Sequence, residues 1–124
     1  MMVEAHARDR AGKVVHEAAC ATEFALKALL LHAGYSDDWN RRFIGLDLKS
    51  ALTHARAKDL PPPSEELERL IPPLSDYHRG GRTPDKARVV LAALPPAEVV
   101  ETAATLVAGV GTVTGYIGLP GEEA

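Results

Sequence analysis

The stretch SEELERLIPPLSDYHRGG, Ser64 to Gly81, sets two rules of helix formation against each other. Leu67, Leu70, Ile71, Leu74 and Tyr77 recur at steps of three and four residues, the stripe of an amphipathic helix. Pro72 and Pro73 interrupt it, and proline inside a helix removes a hydrogen bond and crowds the preceding turn. The stripe keeps its phase across the prolines, so both halves face one core. The sequence therefore predicts a helix with a kink or restart at Pro72–Pro73. Ser64 caps it, Glu65 and Glu66 suit its first turn, and Gly80-Gly81 ends it.

Three further helices follow from the same periodicity. Upstream, Val15, Ala18, Ala19, Thr22, Leu26, Leu29, Leu30 and Ala33 mark a helix over 3–33, more polar and prone to fray across Ala5–Lys13. Gly34 is placed to end it in the left-handed conformation. Leu48, Ala51, Leu52 and Ala55 mark a second, starting near Asp47 and stopped by Pro61–Pro63. Between them, Tyr35, Trp39, Phe43 and Ile44 would be wasted in solvent, so the connection is expected to fold back on the core. Downstream, Pro95-Pro96 opens a last helix along Val99, Val100, Ala103, Leu106, Val107, Val110, Val113 and Ile117. The segment DKARVVLAAL, Asp85–Leu94, reads as either a short helix or an extended connector. The expected fold is all-α, an antiparallel up-and-down four-helix bundle with a kinked third helix.

The chain has 124 residues, a formal charge of −3 and 5% aromatic content. That suits one domain over 1–124, with a core of small aliphatics. The lone Cys20 cannot form an internal disulfide, and Glu4, His6, Arg8 and Asp9 break any apolar leader, so a cytoplasmic protein is expected. The charge-free run from Thr102 to Leu119 is near the lower length for a membrane helix, but its glycines and threonines and its lack of a Lys/Arg flank favour a buried bundle helix.

Three stretches resemble the HEPN family (higher eukaryote and prokaryote nucleotide-binding), over residues about 18 to 118. ATEFALKALLLHAG, Ala21–Gly34, is similar to the family's first helix, with its lysine, leucine run and glycine stop. GLDLKSAL, Gly45–Leu52, resembles the Gly-His-Asp-Leu start of the second, with Leu46 in place of histidine. LSDYHRGGRTPD, Leu74–Asp85, resembles the end of the third helix and the Arg-Tyr-Pro word after it; here Arg82, Thr83 and Pro84 stand there, with threonine for tyrosine. The resemblance implies a four-helix domain that binds nucleotides, or pairs with a nucleotidyltransferase, and that dimerises.

The family's ribonucleases and toxins carry Arg, four to six residues, then His, late in the chain. Here no Arg, Lys or His follows Arg88, and the literal match is Arg10 with His16 in the first helix, which reads as a solvated face. No catalytic residue is assigned. His16 and Cys20, four apart in HEAAC, lack a third metal ligand, so Cys20 reads as a buried structural thiol and no metal is expected. P-loop and dinucleotide glycine motifs are absent, and no cofactor is expected.

The remaining chemistry lies at the end of the third helix. Between Arg79 and Arg88 four fixed cations face one acid, Asp85. Arg79, Arg82, Lys86 and Arg88, with His78 and the ring of Tyr77, are the expected binding residues for a phosphate or nucleotide, and Arg41 and Arg42 are candidates to join them. Guanidinium groups pair well with phosphate, and glycines allow close backbone approach. Asp76 and Asp85 are the rival internal counter-charges. An acidic chain suits a small anion or an acidic partner better than extended nucleic acid. The alternatives are a HEPN nuclease and a helical dimerisation protein without a ligand.

Overall fold

The computed structural model describes residues 2–57 and 64–115. Six α-helices and no strand occur among the described residues: α1 (Met2–His32), α2 (Asp37–Trp39), α3 (Leu48–Ala57), α4 (Glu65–Gly80), α5 (Pro84–Ala93) and α6 (Pro96–Thr114). A π-helical turn, Asn40–Ile44, continues α2. The all-α class is as expected. The helix count is larger, because Asp85–Leu94 resolves as a helix and the first connection coils twice.

α1 is the central element, packing most extensively on α6 and also on α3, α5 and α4. Its length is about 46 Å at 1.5 Å per residue. Val15, Ala18, Ala19, Thr22, Leu26, Leu29 and Leu30 are all buried, as the stripe requires. The polar N-terminal part is helical too, and the helix runs back to Met2. At the other end, Gly34 has φ +106°, and the Tyr35 amide donates to the Leu30 carbonyl at 2.9 Å while the Gly34 amide donates to Leu31 at 3.1 Å. These are the paired bonds of a Schellman stop.

Helix α4 passes through Pro72–Pro73 without restarting. The prolines withdraw the amides that would bond the carbonyls of Glu68 and Arg69, and both of those residues are exposed, so water can satisfy the freed oxygens. Leu67, Leu70, Ile71, Leu74 and Tyr77 are all buried on one side. Ser64 caps the start, accepting the Leu67 amide at 3.1 Å. Pro61–Pro63 lies outside the described residues.

One residue of α4 organises the helix beside it. Ser75, 1% exposed, accepts the amides of Leu48 at 3.0 Å and Lys49 at 3.4 Å through its Oγ. Asp47 accepts the Ser50 amide at 3.1 Å through Oδ1, and its own amide donates to the Ile44 carbonyl at 2.9 Å. All four free donors at the start of α3 are thus satisfied, two of them by another helix. The Ser75 hydroxyl hydrogen goes to Asp47 Oδ1 at 3.3 Å.

Thr83 caps α5, accepting the Lys86 amide at 3.2 Å, with Pro84 in the first turn. α5 and α6 meet at 81° across Leu94 and Pro95. α6 stops earlier than the apolar pattern suggests: Gly115, at φ +76°, closes it on the Gly111 carbonyl, and Ile117 lies outside the described residues. No single helix among the described residues is long and apolar enough to cross a membrane. Three of the apolar positions expected to face the core are exposed. Phe43 is 63% exposed, and Val100 and Val113 project from the outer side of α6. Each sits beyond the sector its helix can bury against one neighbour.

Ser75→Ala leaves the Leu48 and Lys49 amides without acceptors in a buried seam. Unfolding in urea should show a loss of about 1–3 kcal/mol relative to wild type; a change under 0.5 kcal/mol would rule out the cap as a stabilising contact.

Candidate functional site

The basic stretch folds into the corner between α4 and α5. Its end is shaped by left-handed backbone. Gly81, at φ +130°, and Arg82, at φ +53°, both turn their amides onto the Tyr77 carbonyl, the latter at 3.0 Å. Arg82 is the one non-glycine residue with positive φ among the described residues. Such a conformation costs an L-residue roughly 1–2 kcal/mol.

Three of the four cations have acids of their own. Arg79 reaches Asp47 Oδ2 at 3.1 Å. Lys86 Nζ donates to the Gly80 carbonyl at 2.8 Å and lies 3.8 Å from Asp76 Oδ2. Arg88 pairs with Asp85 one turn earlier. Arg82 makes no ion pair or side-chain hydrogen bond among the described residues, and it is exposed. The concentration of charge in the sequence therefore becomes a set of local pairs and one free guanidinium. Asp76 and Asp85 act as the expected rivals; Asp47, remote in sequence, is a third. Arg41 and Arg42 lie elsewhere, sharing Asp38.

His78 and Tyr77 belong to the core side of α4 and not to a loop. His78 is 2% exposed and donates from Nε2 to Glu23 Oε1 at 2.6 Å. The other carboxylate oxygen of Glu23 takes Lys27 Nζ at 2.8 Å. Burial alone would raise the proton affinity of Glu23. The hydrogen bonds from His78 and Lys27, with their positive charge, outweigh it and hold the carboxyl below its ordinary value. The Nδ1 of His78 and the Thr22 hydroxyl are buried without a hydrogen-bond partner. Tyr77 is 4% exposed, and burial pushes its phenol up; the charge of Arg82 opposes this and that of a Cys20 thiolate adds to it.

On α1, Cys20 is exposed, contrary to its expected burial. The buried stripe passes through Ala18, Ala19 and Thr22, and Cys20 falls on a polar line with His16, Glu23 and Lys27 at the edge. His16 Nε2 lies 3.7 Å from the Cys20 sulfur. Arg10 is also exposed. Six residues turn an α-helix by about 600°, which leaves Arg10 about 120° from His16, so the two do not share a face. Among the described residues no three His, Cys, Asp or Glu side chains come together to hold a metal ion.

A second cluster was not anticipated as such. Tyr35 and Trp39 stack with centroids 4.2 Å apart, His54 meets Trp39 edge-on at 5.0 Å, and Phe43 flanks Trp39 at 5.6 Å. Asn40, between them in the π turn, is 1% exposed, with neither amide atom bonded. Only the density of aromatics in YSDDWNRRF pointed here.

No family model, curated protein or solved structure matches this chain.

The lowered pKa of Glu23 ties stability to pH with a definite sign. Its contribution is complete above the ordinary value of 4.5 and fades as pH falls through the lower folded value. Acid unfolding of Glu23→Gln should therefore show a shallower loss of stability below that pH than wild type. Parallel acid limbs would show that the Glu23–His78–Lys27 contacts carry no such linkage.

Proposed function

We propose that this chain is a non-catalytic binding module of HEPN-like kind, an up-and-down bundle bent at its third helix, that takes a small phosphate-bearing ligand at the α4–α5 corner. The observation that carries this reading is Arg82. Its neighbours Arg79, Lys86 and Arg88 are each matched to an acid, while Arg82 has none among the described residues and is held by its backbone at the apex of the corner. A guanidinium offers a fixed fork of donors to phosphate oxygens, and a phosphate supplies the missing counter-charge. Arg79, exposed at the same corner, can assist by exchanging Asp47 for the ligand. The late Arg/His pair of the family's nucleases has no counterpart after Arg88, which supports binding over cleavage.

Calorimetric titration with inorganic phosphate and ATP should give saturable binding to wild type. Arg82→Gln should weaken it about tenfold or more, in line with loss of a charge-assisted pair of about 1.5–3 kcal/mol. Equal binding by the variant, or none by wild type, would leave the corner without a ligand.

A second reading rests on α6. Val100, Ala104, Thr105, Ala108, Gly109, Thr112 and Val113 are exposed, and the charged residues of this helix are Glu98 and Glu101 near its start. A face this free of charge favours a protein partner, a second copy or a nucleotidyltransferase. Sedimentation at micromolar concentration should detect a dimer of wild type that Ala108→Glu dissociates; a monomeric wild type would remove self-association.

A further inference from the structure

The connection after α1 is built on an uncommon backbone. Asn40–Ile44 is a π-helical turn, in which the Gly45 amide donates to the Asn40 carbonyl, five residues back, at 2.9 Å. Such a turn holds one residue more per bonded ring than an α turn, and it is rare. Its buried polar side chain does not compensate: Asn40 is 1% exposed with neither amide atom bonded. The extra residue decides which apolar side chain is covered. Ile44 is buried, while Phe43, the larger of the two, is 63% exposed. Gly45 closes the turn at φ +54° and ψ −118°, a conformation that residues with a side chain avoid.

An α turn over the same residues needs only small shifts in the bonding. The Ile44 amide would donate to Asn40 and the Gly45 amide to Arg41. The second acceptor stands close by, since a Cβ built on Gly45 lies 3.9 Å from the Arg41 carbonyl oxygen. Closing out the extra residue moves each following side chain of the turn into the place of the next, about 100° around the axis. Phe43 then enters the sector that Ile44 holds, and Ile44 leaves it. Each register buries one apolar side chain and exposes the other, so their burial is comparable. The Asp47 amide favours the present one, because it donates to the Ile44 carbonyl at 2.9 Å. We infer that Asn40–Gly45 is a two-state element, with a π register that holds the Phe43 ring in solvent and an α register that turns it inward. The exposed ring, beside the exposed Arg41 and Arg42, is thereby a contact that the molecule presents or withdraws.

Amide relaxation dispersion by NMR on the full chain reads the microsecond-to-millisecond scale on which helices shift register. Wild type should show exchange at Phe43, Ile44 and Gly45 and none at Leu52 or Leu70 in the core. Phe43→Ser removes the side chain that the α register buries and should abolish the exchange. Gly45→Ala penalises the π register and should raise the minor population about tenfold. Trp39, the only tryptophan, has its ring 5.6 Å from that of Phe43, so its fluorescence should change in step. Unchanged amide shifts along α1 and α4 check that each variant is folded. Flat dispersion profiles across the turn in wild type, or exchange that persists in Phe43→Ser, overturn the two-state turn. So does a Gly45→Ala variant whose turn shifts move away from those of the minor state.

Discussion

A serine hydroxyl buried between two helices sets the geometry of this molecule. Ser75 Oγ gathers the Leu48 and Lys49 amides and passes its own hydrogen to Asp47. Buried donors without acceptors are expensive, so α3 can begin only where α4 presents that oxygen. The register of α4 against α3 is thereby tied to a single side chain. Asp47 extends the tie outward to Arg79, at the start of the corner that carries Arg82. The prolines three and two residues before Ser75 belong to the same arrangement. Because their freed carbonyls lie on exposed residues, the helix continues through the prolines and delivers Ser75 to the seam in phase with Leu74.

The periodic parts of this fold were legible. The stripe across Pro72–Pro73 could be read because side-chain phase is independent of whether each backbone bond is made. The stop at Gly34 and the cap at Ser64 follow from single-residue chemistry. α5 was undecided, since Arg88-Val-Val-Leu-Ala-Ala fits a short helix or an extended connector equally and the packing of α5 on α4 decides it. Ser75 carries no sequence signal, because its partners are 26 and 27 residues away. Cys20 was misplaced for a related reason. In Ala18-Ala-Cys-Ala-Thr the residues differ little in size, so the edge of the buried sector cannot be drawn.

The candidate site was legible in part. A basic stretch at the end of the third helix is where Arg82 stands. How that charge is spent was not readable, because Asp47 comes from another element and the pairing of Lys86 with Asp76 depends on the turn at Gly80-Gly81. His78 had a readable signal that its reading as a ligand-binding residue overlooked: it lies seven residues after Ile71 and four after Leu74, on the buried side. Its partner Glu23, on α1, is a contact between distant segments that no local pattern encodes.

The elbow between α5 and α6 bears on how the molecule comes apart. α5 rests chiefly on α4, whereas α6 rests chiefly on α1, and the two diverge at 81° across Leu94 and Pro95. Proline at both Pro95 and Pro96 withholds the amides that would stitch the arms into one rod. The arms therefore share a covalent joint and both touch α1, but make little contact with each other. Opening of α6 from α1 need not undo α4 and α5, so amide exchange along α6 reports a separate cooperative unit from that of the α4–α5 corner. A ligand at Arg82 would slow exchange on one side of the elbow, and a second protein on α6 would slow it on the other.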